Sequence, residues 1–293
     1  LENGLDINLL FFSFEMNADS LMAKLMSLYI WDTYQKIVPY STIMSLVEPI
    51  SEEDFKLVCD SKAWLETIEK HITIIDTPIT PQQCSVVLRM WNERFGEFIE
   101  SDNDQESYVP KNPTAFNAVI VDHVKLTKDN GKGAKNTIDE LCNEAIFYRN
   151  KCGNSFYLVQ QINRNSKSMD RRMNGFELLQ LDDLSDSSGT AQASEIVIGL
   201  FNPHRERRVK LEGYNIRELG DRARTWQCLK NRYGQSDKNV MLAFYGEIGY
   251  FKELPKAEDL VDYDDWKELD NSIKPQEPEQ ETTATFNFSG FIL

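Results

Sequence analysis

Three short apolar runs in this chain end on groups able to do chemistry. "INLLFFSFE" delivers Glu15, "FNAVIVD" delivers Asp122, and "SFYLVQQ" delivers Gln160 and Gln161. In an open parallel sheet, ligands sit at the carboxyl ends of the strands, so these runs, if adjacent, would bring two carboxylates and a neutral amide into one crevice. That set suits metal-assisted hydrolysis. One acid holds Mg2+ through water, the other polarises the attacking water, and the amide senses the product oxygen. Each residue also has a plainer explanation. A glutamate after a strand is favoured at the start of a helix by the helix dipole. An aspartate ends many strands as a turn residue, and a glutamine can serve as a buried amide that satisfies backbone groups.

The elements that would position these groups follow from hydrophobic patterning. Runs 7–14, 71–76, 116–122, 155–161 and 195–201 read as strands buried on both faces. Segments 17–36, 52–69, 80–99 and 134–151 read as helices between them. In "TIDELCNEAIFYRNKC", Ile138, Leu141, Ala145, Tyr148 and Cys152 share one stripe, the spacing of a helix packed on a sheet. This alternation predicts an α/β fold with a mostly parallel sheet flanked by helices. After residue 224 three short strands joined by "YGQSDKN" and "GEIG" predict an antiparallel extension at the sheet's edge.

The composition narrows the function classes. A net charge of −15 excludes a protein that coats nucleic acid over its whole surface, but not one with a local basic face. The acidic runs at 100–106 and 258–270 contrast with the stretch from Arg164 to Arg232, which carries most of the arginines. "HRERRVK" at 204–210 has the composition of a solvated surface loop. Five cysteines without a CxxC pair indicate neither a zinc site nor a disulfide framework. His123 reads as a satisfied crevice histidine, since no second His or Cys has ligand spacing with it. No apolar run reaches the roughly 18 residues of a membrane span, and the expectation is a cytoplasmic protein without a membrane partner.

The order of the motifs carries a resemblance. "FFSFEM" before a helix, "AVIVDHVKL", "LVQQINR" and "LKNRYGQSDKNVMLAFYGEIGYF" resemble, in that order, the RecA-like motor domain of DnaB-type hexameric replicative helicases of bacteria and phages. The stretch 50–78 resembles the segment linking these motifs in that family. The resemblance covers residues 1–255 and implies a RecA-like P-loop NTPase core, with residues 256–293 as an acidic tail. It implies ATP and Mg2+ as cofactors. Glu15 matches the family's base for the attacking water, Asp122 its Walker B aspartate on Mg2+, and Gln161 the amide that couples phosphate state to the DNA loops. Lys230 and Arg232 match a lysine and an arginine finger that reach a neighbouring subunit's nucleotide. Partners implied are single-stranded DNA, further copies in a hexameric ring, and a primase or helicase loader.

The departures from the family are specific. No GxxxxGK[ST] phosphate loop occurs, and "DNGKGAKNT" at 129–137 has the wrong spacing and position. The expectation is a chain that begins just after its phosphate loop and is inactive alone. In "DDLSDSSGTAQASEIV", Gly189 matches the glycine of the family's DNA loop, while Asp186 and Ser187 replace its charged residues. Backbone contact to DNA would then fall to Arg164, Lys167, Arg171 and Arg172. A catalytically incomplete RecA-like module, such as a loader or recombinase-type scaffold, is the alternative. The apolar end "FNFSGFIL" has the format of a short docking peptide.

Overall fold

A computed structural model describes residues 5–47, 49–100, 106–162, 178–184, 188–236, 238–267 and 269. The first half runs β1 (Ile7–Ser13), α1 (Ala18–Tyr34), α2 (Tyr40–Ile43), α3 (Glu52–Asp60), α4 (Lys62–Ile68), β2 (Ile72–Ile75) and α5 (Pro81–Phe95). It continues with β3 (Gly96–Glu100), β4 (Glu106–Pro110), β5 (Phe116–Asp122), α6 (Ala134–Cys152) and β6 (Ser155–Leu158). The second half holds α7 (Ser188–Ala193), β7 (Ile196–Phe201), β8 (Lys210–Leu211), β9 (Tyr214–Asn215) and α8 (Ile216–Leu219). It ends with β10 (Ala223–Asn231), β11 (Asn239–Tyr245) and β12 (Tyr250–Glu253).

The four strands β2-β1-β5-β6 form one sheet, in that order, with every pairing parallel. β1 lies in the middle because it is apolar along both faces, with Leu10 and Phe12 fully buried. One polar residue interrupts it. Asn8 is paired in register with Asn117 of β5, and its Nδ2 donates to Asn117 Oδ1 at 3.0 Å. Slipping the strands by one residue would turn both amides to the other face and leave them unpaired. The same register sets Ser13 opposite Asp122.

Helices α5 and α6 cover this sheet. The predicted stripe on α6, Ile138, Leu141, Ala145, Tyr148 and Cys152, is buried, and most of it joins Leu10, Phe12, Val119, Val121, Leu88 and Trp91 in the main core. α5 starts on a capping box between Thr80 and Gln83, with Pro81 in its first turn. It ends earlier than the pattern predicts. Gly96 leaves the helix extended and opens a hairpin, β3 with β4, because a Cβ at that position would lie 2.3 Å from the Tyr108 ring. The segment 52–69 also divides into two helices at Ser61, whose hydroxyl bonds the Leu57 carbonyl at 2.7 Å.

The antiparallel extension is present as a second sheet, in the order β12-β11-β10-β7. Here the run 195–201 departs from expectation: β7 pairs antiparallel with β10 and is not part of the parallel sheet. Its alternating burial fits a strand with one covered face, because Val197 and Phe201 are buried while Ile196, Ile198 and Leu200 are exposed. A second core of Phe201, Ile216, Met241, Ala243, Tyr245 and Leu254 lies beneath this sheet, and Trp31 of α1 joins it. Leu260 is buried against the same core, with Tyr263, Trp266 and Leu269 packed beside it. The rest of the expected tail, including "FNFSGFIL", lies outside the described residues. No helix among the described residues is long and apolar enough to cross a membrane.

The asparagine pair yields the first prediction. Asn8→Leu or Asn117→Leu alone strands one buried amide and should cost about 1–3 kcal/mol in urea unfolding. The double replacement should cost less than the sum of the singles, and additive costs would show that the pair does not hold the register.

Candidate functional site: the carboxyl edge of the parallel sheet

The strand register carries Glu15, Asp122 and Gln161 to one edge. The backbone N–H of Phe14 donates to Asp122 O at 2.8 Å, so β1 and β5 stay joined up to the residue before Glu15. The Ser13 hydroxyl then bonds Met16 O at 2.7 Å and turns the chain. Glu15 occupies this turn and does not cap the following helix. That task falls to Asn17, which accepts from Ser20 N at 2.9 Å, while Ala18 N donates to Asp76 Oδ2 at 2.9 Å beyond β2. The helix-start explanation for Glu15 is therefore not needed.

Next to Asp122 lies His123, only 5% exposed. Its Nε2 lies 3.9 Å from Glu15 Oε2 and 3.4 Å from Gln161 Nε2. With the ring neutral, the Gln161 amide N–H donates to that nitrogen. The buried Nδ1 has no partner among the described residues, so this histidine is less fully satisfied than the sequence indicates. The histidine is the physical link between the acid of β1 and the amide after β6. Its one sequence signal is its place directly after Asp122.

Electrostatics mark the same spot. Burial pushes the Asp122 carboxyl above the usual carboxylate range, and the nearby Glu15 charge raises it further, against His123 and Lys24, which act to lower it. Lys24 comes from α1, where its Nζ lies 3.3 Å from Met16 Sδ, and periodicity alone did not single it out. Two adjacent carboxylates with this mutual repulsion are suited to a divalent cation. Among the described residues, no group of three or more His, Cys, Asp or Glu could hold a metal. This fits Mg2+ bound by one or two carboxylates together with water and a phosphate, the usual way that ion is held.

The glycine loop at 129–133 fills its own anion site. The Asp129 carboxylate accepts from the N–H groups of Gly131, Lys132 and Gly133 at 2.9 to 3.1 Å, and from the Thr137 hydroxyl at 3.1 Å. Gly131 and Gly133 adopt φ of +92° and +87° to turn these N–H groups inward. The start of α6 thus offers its donors to a side chain of the same loop, which is why the glycines do not make a phosphate loop.

Lys230 and Arg232 lie elsewhere. A register shift in β10 between Cys228 and Lys230 accompanies the turn of both toward the carboxyl end of α7. Lys230 Nζ donates to Ala191 O at 2.6 Å and Ser194 O at 2.7 Å, and Arg232 Nη2 reaches Gln192 O at 3.4 Å. Their hydrogen bonds run to α7 and not to the carboxylates. Gly189 lies in the first turn of α7. Arg164, Lys167, Arg171 and Arg172, together with Asp186 and Ser187, fall outside the described residues. Thr190, which sequence gave no reason to select, donates to Gln160 Oε1 at 2.5 Å across thirty positions of chain.

Solved structures with the same architecture include the ATPase domain of another helicase, with a TM-score of 0.62 and 17% identity over 87% of this chain and 76% of that one. They also include a DnaB-like replicative helicase described with its interactions with primase, at a TM-score of 0.61 and 17% identity. The chain has the RecA-like ATPase fold. The RecA-like region here covers 87% of this chain but 52% of the DnaB-like helicase chain, so the chain spans about half the length of that relative. No protein-family model matches the sequence, and no curated protein matches it. The RecA-like core places its parallel sheet as the nucleotide-facing layer, with the antiparallel sheet as its extension.

The raised Asp122 carboxyl gives a pH prediction with a definite sign. The folded state holds this proton more tightly than the unfolded chain, whose aspartate titrates near ~3.9, so stability falls as pH rises from there through the folded value. Asp122→Asn should remove that slope and raise the urea midpoint at pH 7, measured across pH 4 to 8. A lower midpoint at pH 7 would mean that the carboxylate is compensated in the free protein.

Proposed function

We propose that this chain is the motor region of a replicative DNA helicase that couples ATP hydrolysis to movement along single-stranded DNA in a homohexameric ring. The observation that carries this reading is the convergence of Glu15, Asp122 and Gln161 at the carboxyl edge of the parallel sheet of a RecA-like fold. Glu15, 56% exposed, is the group able to accept a proton from an attacking water. Asp122 would hold Mg2+, which when bound with the nucleotide neutralises charge on the phosphates. Gln161, in contact with His123, senses the terminal phosphate and passes its state toward the DNA-facing segments.

Lys230 and Arg232 would act on the nucleotide of a neighbouring copy, since the guanidinium of an arginine finger stabilises charge on the transferred phosphoryl group. Their distance in the fold from their own Glu15 and Asp122 supports action in trans. Single-stranded DNA would meet the arginines between 164 and 172 and the α7 region at Gly189. A primase or a helicase loader is the expected protein partner, because the similar replicative helicase was described with primase. The expected location is the cytoplasm of a bacterial or phage-infected cell, and residues 1–255 form the motor with 256–293 as an acidic appendage.

The test is ATP hydrolysis with and without single-stranded DNA, by this chain and by the same chain extended with the residues encoded before Leu1. The described residues contain no phosphate cradle, so turnover should be low in the first and DNA-stimulated in the second. Glu15→Gln should lower the stimulated rate by roughly 10²–10⁴-fold, the usual worth of a general base. Arg232→Ala and Glu15→Ala should each be inactive alone, and a mixture of the two should regain part of the rate. No turnover in any form would leave a RecA-like scaffold.

A further inference from the structure

The strand-end crevice and the two cations are joined by α7, a helix of six residues. At one end, the Thr190 hydroxyl, only 5% exposed, donates to Gln160 Oε1 at 2.5 Å. Gln160 adjoins Gln161, which touches His123. At the other end, the last carbonyls of α7 lack intrahelical donors, and the helix dipole favours a cation there. Lys230 takes that place through Ala191 O and Ser194 O, and Arg232 does so through Gln192 O. Two further contacts fix this end: Arg232 N donates to Glu195 O at 3.0 Å, and Arg149 pairs with the Glu195 carboxylate at 3.3 Å.

An ammonium has three N–H donors, and here α7 takes two of them. Held in this way, Lys230 offers one N–H to a neighbouring copy, and released it offers three. The contact is therefore more than a cap on a short helix. It decides how much of the lysine's hydrogen-bonding capacity is available outside its own subunit.

We propose that α7 is a latch: the bond between Thr190 and Gln160 seats the helix, and the seated helix holds Lys230 and Arg232 within their own subunit. This rests on the reading of residues 160–161 as crevice groups and of the two cations as groups for a neighbouring site. Rearrangement of Gln160 when the crevice changes state unseats α7 and frees both cations. Thr190 is a positioning residue in this scheme, since it acts through the helix and touches no reacting atom.

The experiment is amine acetylation of the chain by an N-hydroxysuccinimide ester of acetic acid, with the rate at each lysine read by mass spectrometry. Thr190→Val and Gln160→Ala should each raise the rate at Lys230 by about fivefold, the factor that one lost hydrogen bond is worth. Thr190→Ser, which keeps the hydroxyl, should restore the original rate. Lys62 and Lys210, both exposed, should not change in any variant. An unchanged rate at Lys230, a failure of Thr190→Ser to restore it, or a rise shared equally by all lysines in both Thr190→Val and Gln160→Ala overturns the latch. No nucleotide is present in the experiment, so the latch can fail while DNA-stimulated hydrolysis stands, and can hold while hydrolysis fails.

Discussion

The pairing of β1 with β5 governs where every reacting group ends up. Asn8 and Asn117 are buried amides in the middle of an otherwise apolar sheet, and each is the other's partner. Their bond fixes the register, the register sets Ser13 beside Asp122, and from there the next turn can only bring Glu15 to the same edge. β6 continues the pattern, because Val121 stands opposite Leu158 and the two glutamines follow within three residues. A single polar contact near the start of two strands thus controls the spacing of charges at their far ends.

The edge so formed is electrostatically uncomfortable, and that is consistent with its use. Burial and the Glu15 charge act together on Asp122. His123 and Lys24 relieve this only in part, and the protein keeps its two strongest candidate counter-charges, Lys230 and Arg232, on another sheet. Perturbed carboxyls in a crevice are a mark of functional sites, because a structural role would be better served by a neutral or fully paired group. The contrast with Asp129 is instructive. Although burial opposes its charge, the Thr137 hydroxyl and three backbone N–H groups outweigh that and hold its carboxyl below the usual range. One aspartate is completed by its own loop, and the other is left for something else to complete.

The second sheet supplies what the first lacks, a rigid mount for cations away from their own acids. Its core of Met241, Ala243, Tyr245 and Ile216 is separate from the main core, and α1 contributes Trp31 to it. α7 bridges the two regions, through Thr190 on one side and the Lys230 contacts on the other. Contacts of this kind, continuous and hydrogen-bonded, are the physical means by which one part of a protein biases another.

Sequence alone determined the elements whose patterning is local: β1, β5, the stripe on α6 and the antiparallel strands at the end all follow from period and turn chemistry. It also determined which residues close the strands, because a lone carboxylate after an apolar run is visible by eye. Tertiary structure decided the rest. The end of α5 depends on the Tyr108 ring, which only the folded hairpin brings against Gly96. The antiparallel pairing of β7 depends on β10, more than twenty residues later, and a run of alternating valine and isoleucine has no means of recording its partner's direction. The glycine loop at 129–133 reads as an anion cradle until the fold shows Asp129 already inside it. The role of Thr190 was hidden for the same reason, since a hydroxyl gains meaning only from the amide that folding sets against it.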